Sequence, residues 1–124
     1  MNIAIKLSAL AASAILAMPP ASAATVMSEA WNAYNSGNYE QALYLAMRQE
    51  NYSPMADAEY LAGTMLLHGQ GTGANYAAAA FRFGQAAQKG HAESQCMFAS
   101  MLLNGQGVAK NTELARQWLD TAIR

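Results

Sequence analysis

The sequence predicts an all-α fold, a short α-solenoid of about three antiparallel helix pairs. The first observation behind this is composition. Hydrophobic residues make up 53% of the 124-residue chain and charged residues only 12%. Much of the apolar content is alanine, with few β-branched residues, a balance that favours helix over strand and excludes a disordered tail. The second is an internal repeat. Residues 56–88 align with 92–124 at an offset of 36, with ten identities in 33 positions. They include Met65-Leu66-Leu67, Gly69-Gln70-Gly71 and Asn75 against Met101-Leu102-Leu103, Gly105-Gln106-Gly107 and Asn111. The third is punctuation: in both copies an apolar run ends at a glycine, and an asparagine follows before an alanine-rich run. That is the order helix stop, turn, N-cap, helix.

In chain order, residues 1–23 read as a secretory signal peptide. Lys6 gives a positive start, Leu7 to Met18 is an apolar run, Pro19-Pro20 breaks it, and Ala21-Ser22-Ala23 fits a small-x-small cleavage site. The run is about a dozen residues, short of the ~20 that span a bilayer. Cleavage would leave a chain with no membrane span, six basic against eight acidic groups, and one cysteine, Cys96. Such a chain is expected in a bacterial periplasm or secreted beyond it. It has no intrachain disulfide, so packing alone must hold it. The low charge gives no basic patch for nucleic acid.

Residues 24–53 read as a divergent first helix pair, with helices over 28–35 and 39–49, a turn at Ser36-Gly37-Asn38, and Asn51-Tyr52-Ser53-Pro54 as linker. Ala30, Tyr34, Gly37, Tyr39 and Ala42 carry the spacing of a helix-turn-helix repeat. Two fuller repeats occupy 54–124, divided into about 54–90 and 91–124. The first gives helices over 54–68, with Ala58, Ala62, Met65 and Leu66 inward, and 76–89, with Ala79, Phe83, Ala86 and Ala87 inward. The second gives helices over 91–104 and 112–124. Gly63 and Ala99, Ala58 and Ser94, and Ala79 and Ala115 are small enough for close helix approach. Phe81, Phe83, Trp118 and Leu119 are large enough to fill the gaps between.

With these residues in place, the chain resembles the Sel1-like repeat family, a relative of the tetratricopeptide repeat. The resemblance rests on Ala58, Ala62-Gly63, Leu66, Gly69, Gly71, Asn75, Ala79, Ala86-Ala87 and Gly90. In the second copy it rests on Ala99, Leu102, Gly105, Gly107-Val108, Asn111, Ala115, Trp118 and Ala122. It covers about residues 56–124, with 28–50 similar to a tetratricopeptide-type pair. Leu66 and Leu102 stand where the family carries tyrosine, Asn75 and Asn111 stand for its loop aspartate, and Ala99 replaces the glycine that the first copy keeps as Gly63. Some secreted members carry a disulfide in each repeat and have been linked to β-lactam chemistry. The single Cys96 sets this chain apart from them.

The residues point to no catalytic group, cofactor or metal site. His68 and His91 are the only histidines; neither has a second ligand at metal spacing, and both sit at helix ends. Asp57, Glu59, Glu93 and Glu113 read as solvated. Register with Tyr60 makes Cys96 a buried thiol, with an intermolecular disulfide as the alternative in an oxidising compartment. The expected function is therefore an exported, non-catalytic module that binds an unidentified protein or peptide, as adaptor, assembly or signalling accessory, or inhibitor. A cell-envelope enzyme acting on cell-wall or β-lactam substrates is one alternative, and a self-associating structural protein is another. The first helices of each pair are expected to line the inner surface. Leu61, Thr64, His68, Met97, Ser100 and Asn104 are the candidate partner-binding residues there, with Trp31 and Tyr34 as an extension. Packing of Leu61 and Met97 against the adjacent pair is equally open. The edge formed by Leu114, Trp118 and Ile123, with no polar capping helix after it, is the candidate self-association surface.

Overall fold

The computed structural model describes residues 23–52 and 56–124. Among them are six helices: α1 (Ala23–Asn35), α2 (Tyr39–Tyr52), α3 (Ala56–His68), α4 (Tyr76–Gln88), α5 (Ala92–Asn104) and α6 (Thr112–Ala122). Each packs on the next in chain order, so α1–α2, α3–α4 and α5–α6 are antiparallel pairs stacked in a row. No strand occurs among the described residues. Apart from Ala23, the first residue of α1, the expected leader lies outside them.

The caps are those the sequence announces. Asn75 Oδ1 accepts from the Ala78 backbone N–H at 3.0 Å, and Asn111 Oδ1 from that of Leu114 at 3.0 Å. Each satisfies one of the free donors of a first helical turn. Gly105 ends α5 in the left-handed conformation, as Gly69 does after α3. The second glycine of each loop has a different task. A Cβ on Gly71 would lie 2.7 Å from the Tyr39 carbonyl oxygen at the start of α2. A Cβ on Gly107 would fall on the Tyr76 carbonyl at the start of α4. The loop of each pair is thus pressed against the second helix of the pair before it, backbone to backbone. Gly37, in the first and shorter loop, has nothing within 4 Å of its Cβ position. No earlier pair exists among the described residues for it to meet.

Two helices are longer than the periodicity predicts. α1 starts five residues before Ser28, because Val26 and Met27 extend the apolar face of Ala30 and are themselves buried. α2 takes up Asn51 and Tyr52, expected in the linker. Ser53 and Pro54 lie outside the described residues.

The core runs along the row in three clusters. Val26, Met27, Ala30, Ala42, Leu45 and Ala46 meet Ala58, Leu61, Ala62 and Met65 between the first and second pairs. Ala79, Ala80 and Phe83 meet Met101 between the second and third, with Tyr60, Leu67, Met97 and Phe98 packed around them. Ala99, Leu102 and Ala115 close the third pair, with Leu114 and Trp118 against them. Small residues act as expected: a Cβ on Gly63 would lie 3.0 Å from the Phe83 ring, so glycine there lets Phe83 in.

Four expectations are overturned. Phe81, expected to fill a gap, is 62% exposed, and Leu119 is 38% exposed. Glu59, expected in solvent, is buried and paired with Lys89 across the α3–α4 pair; its Oε2 has no hydrogen-bond partner. Cys96 is exposed rather than buried. Its counterpart Tyr60 is partly covered because the next pair stands over it, whereas no described element follows α6 to cover Cys96.

Candidate functional site

The first-helix surface holds most of the residues the sequence singled out. Trp31 and Tyr34 pack edge to face at 5.9 Å, and Tyr34 packs on Tyr39 at 5.3 Å. On α3, the Thr64 hydroxyl donates to the Tyr60 carbonyl at 2.9 Å, and His68 Nδ1 donates to the Thr64 carbonyl at 2.9 Å. Both polar side chains are therefore turned onto their own helix. Ser100 and Asn104 occupy the equivalent places on α5 and are exposed. Leu61 does not belong to this surface. It is fully buried between the first two pairs, and the surrounding side chains block any partner from reaching it. Met97 is half-buried against the second pair's cluster. For Leu61, packing against the adjacent pair is the reading that holds; Met97 packs there too but keeps part of its side chain exposed.

At the junction between the second and third pairs, Asp57 of α3 meets His91 and Ser94 at the start of α5. His91 Nε2 lies 3.1 Å from Asp57 Oδ1, and His91 Nδ1 lies 2.8 Å from Ser94 Oγ. The order Asp, His, Ser is that of a nucleophile triad. Its environment is not. Ser94 is fully buried, so no substrate carbonyl can approach its Oγ. Nδ1 also accepts from the Ser94 backbone N–H at 3.2 Å, which makes His91 the N-cap of α5 and fixes the tautomer with the proton on Nε2, facing Asp57. The trio therefore ties α3 to the start of α5. The His91 ring packs on Tyr60 at 5.0 Å. Burial, then the negative charge of Glu93, push the Tyr60 phenol above its ordinary range. Spacing in the sequence gave no hint of this cluster, because the contact of residue 57 with 91 depends on how the pairs stack.

The large exposed apolar side chains lie elsewhere, in two groups. Tyr44 and Met47 on α2 and Tyr76 and Phe81 on α4 form one; Leu103, Leu119 and Ile123 on the last pair form the other. Cap register explains the first. Tyr44 comes six residues after Asn38, which opens α2, and Phe81 six after Asn75, which opens α4. Aromatic rings thus stand at equivalent places on successive second helices; the third copy has Gln117 there. Three residues further on are Met47, Gly84 and Asp120. Where α2 has the Met47 side chain, α4 has none. An open groove of about 440 Å³ lies there, lined by Ala77, Ala80, Phe81 and Gly84 of α4, Phe98 of α5 and Val108 of the following loop. Gln85 and Gln88 add amide groups. Among the described residues no group of three His, Cys, Asp or Glu side chains is placed to hold a metal ion. No helix there is long and apolar enough to cross a membrane.

No protein-family model and no curated protein sequence matches the chain. Among solved structures it is similar to a Sel1 repeat protein from Oxalobacter formigenes, at 26% identity and a TM-score of 0.63. The likeness covers 68% of this chain and 63% of that one, so the chain spans a little under two thirds of its neighbour's length. Stacked helix pairs, left-handed glycines after each first helix, and second glycines seated on the preceding pair agree with that likeness. The chain folds as an all-α solenoid of the Sel1-like repeat kind.

Proposed function

We propose that the chain is an exported, non-catalytic interaction module that holds a protein or peptide partner on its second-helix face. The observation that carries this is the groove over Gly84 with the exposed Phe81 at its edge; the exposed Tyr44 and Met47 stand at the matching places on α2. The groove's lining is uncharged: alanine, phenylalanine and valine walls, with two glutamine amides. That chemistry suits one apolar side chain of leucine or phenylalanine size, whose flanking peptide groups bond to Gln85 and Gln88. None of the large exposed apolar side chains lies on α1 or α3. The first-helix face would then add polar contacts through Thr64, His68, Ser100 and Asn104, together with the part-exposed Trp31, Tyr34 and Met97. Role as adaptor, assembly or signalling accessory, or inhibitor follows from which partner docks. Export rests on the layout of Lys6, the apolar run and Ala21-Ser22-Ala23.

Affinity capture from a periplasmic extract tests the site. Phe81→Asp places a charge at the groove, and Gly84→Met fills it with the side chain found at the matching place on α2. Each is expected to weaken capture at least tenfold with helix content unchanged. Capture untouched by both but lost on His68→Asp or Ser100→Asp would move the site to the first-helix face. Export is tested by mass spectrometry of the protein from the periplasmic fraction, with a chain starting at Ala24 expected.

A further inference from the structure

We propose that His91 is a proton-operated cap: a second proton on its ring frees the first turn of α5 while the ring stays against α3. Asn75 opens α4 and Asn111 opens α6, each through an amide oxygen that keeps its lone pairs at any ordinary pH. α5 is opened by a ring nitrogen instead. His91 Nδ1 accepts from the Ser94 backbone N–H at 3.2 Å and lies 2.8 Å from the Ser94 hydroxyl. Both contacts use the lone pair that a second proton would take. An imidazole takes that proton between about pH 5 and 8. The His91 side chain is 17% exposed, so it stays in touch with solvent although Ser94 beneath it is buried.

Once protonated, Nδ1 can only donate. Ser94 Oγ can turn to accept from it, but the Ser94 backbone N–H then faces another N–H and loses its cap. The new charge also sits at the N-terminus of a helix, where the dipole opposes it. On the other side of the ring the proton has the opposite effect. Nε2 already donates to Asp57 Oδ1 at 3.1 Å, and that bond becomes charge-assisted. The groups around the ring agree with this division. From α3 come Asp57 and Tyr60, whose ring packs on His91 at 5.0 Å. From α5 comes Glu93, whose negative charge acts on the same Tyr60 phenol. Lys89, two residues before His91 at the end of α4, is paired with Glu59 of α3 and so adds little repulsion. The protonated ring therefore stays with Asp57 and Tyr60 while the turn from Ala92 to Ser94 loosens. That turn carries Glu93, so its loosening weakens the contact with Tyr60 as well.

An NMR titration of the purified chain from about pH 8 to 5, where ordinary carboxylates stay largely ionised, tests this. The His91 ring nitrogens and the Ser94 amide proton should titrate with one midpoint. The Ser94 amide should move upfield as its bond to Nδ1 is lost. Its exchange, corrected for the intrinsic effect of pH, should quicken at least about fivefold, the worth of a helix cap. The Ala78 and Leu114 amides, bonded to Asn75 and Asn111, should keep their positions. Nuclear Overhauser contacts between the His91 and Tyr60 rings should persist throughout. His91→Asn supplies a cap that no proton removes, so the Ser94 amide should then hold still; circular dichroism checks that the variant keeps its helices. A Ser94 amide that ignores the titration of the ring, or one that moves as far in His91→Asn, would overturn the proposal. So would a protonated ring that leaves Tyr60, since the proton would then release both helices.

Discussion

Gly71 and Gly107 show what one absent methyl group does here. Both have positive φ, and both stand where a Cβ would strike the backbone of the preceding pair. Alanine at 107 meets two penalties: about 1–2 kcal/mol for the left-handed conformation and about 1–3 kcal/mol for forcing the loop off α4. Gly37 has positive φ but open space, so alanine there meets only the first. Thermal denaturation should show Gly107→Ala lowering the melting temperature by roughly 10 °C or more, and Gly37→Ala by less than half as much. Equal effects would mean that the loop does not press on α4. A pH effect belongs to Tyr60. Its phenol holds its proton more tightly in the folded chain than at its ordinary value of 10.0, through burial and then Glu93. Its contribution to stability is therefore complete below that value and is lost as pH rises through the higher, folded one. Tyr60→Phe removes the ionisable group and should flatten the alkaline fall in melting temperature. An unchanged alkaline limb would assign that fall to other groups.

The helices divide into features set by neighbours in sequence and features set by neighbours in space. The first kind was legible beforehand. Glycine stops, Asn75 and Asn111 caps, and the Ala58-Ala62-Met65 face act within a turn or two of themselves. Asn111→Ala should lower stability by about 1 kcal/mol, with the loss of amide protection confined to the first turn of α6; protection lost equally along α4 would contradict a local cap. The second kind was not legible. Leu61 and Met97 share a register, yet one is sealed between pairs and the other half-buried, because different helices stand over them. Phe81 reads as a core aromatic beside Phe83, but no described helix covers the face it occupies. Asp57 reaches His91 only once the pairs are stacked. The groove was hidden for the same reason: it depends on Gly84 leaving a space where Met47 fills one, a comparison that needs the caps aligned in three dimensions.

Taken as a row, the described residues form one pair with neighbours on both sides and two with a described neighbour on one side. In such an array stability is a sum of pair terms and junction terms, so a core substitution should spread only across the junction it belongs to. Leu61 lies in the cluster joining the first two pairs, and Met101 in the cluster joining the last two; both are essentially fully buried. Truncating either to alanine should cost about 2–5 kcal/mol. The consequences should fall at opposite ends. Leu61→Ala should release amide protection in α1 and α2 well before α6, whereas Met101→Ala should release α5 and α6 while α1 and α2 stay protected. The Asp57–His91–Ser94 tie and the Gln95 side-chain bond to the Ala87 carbonyl, 3.1 Å, reinforce the second junction. Asp57→Ala should therefore add to the Met101→Ala effect at α5 and leave the Leu61→Ala pattern unchanged. Hydrogen exchange read by mass spectrometry separates these cases peptide by peptide. Uniform loss of protection in all three variants would mean that the three pairs unfold as one unit.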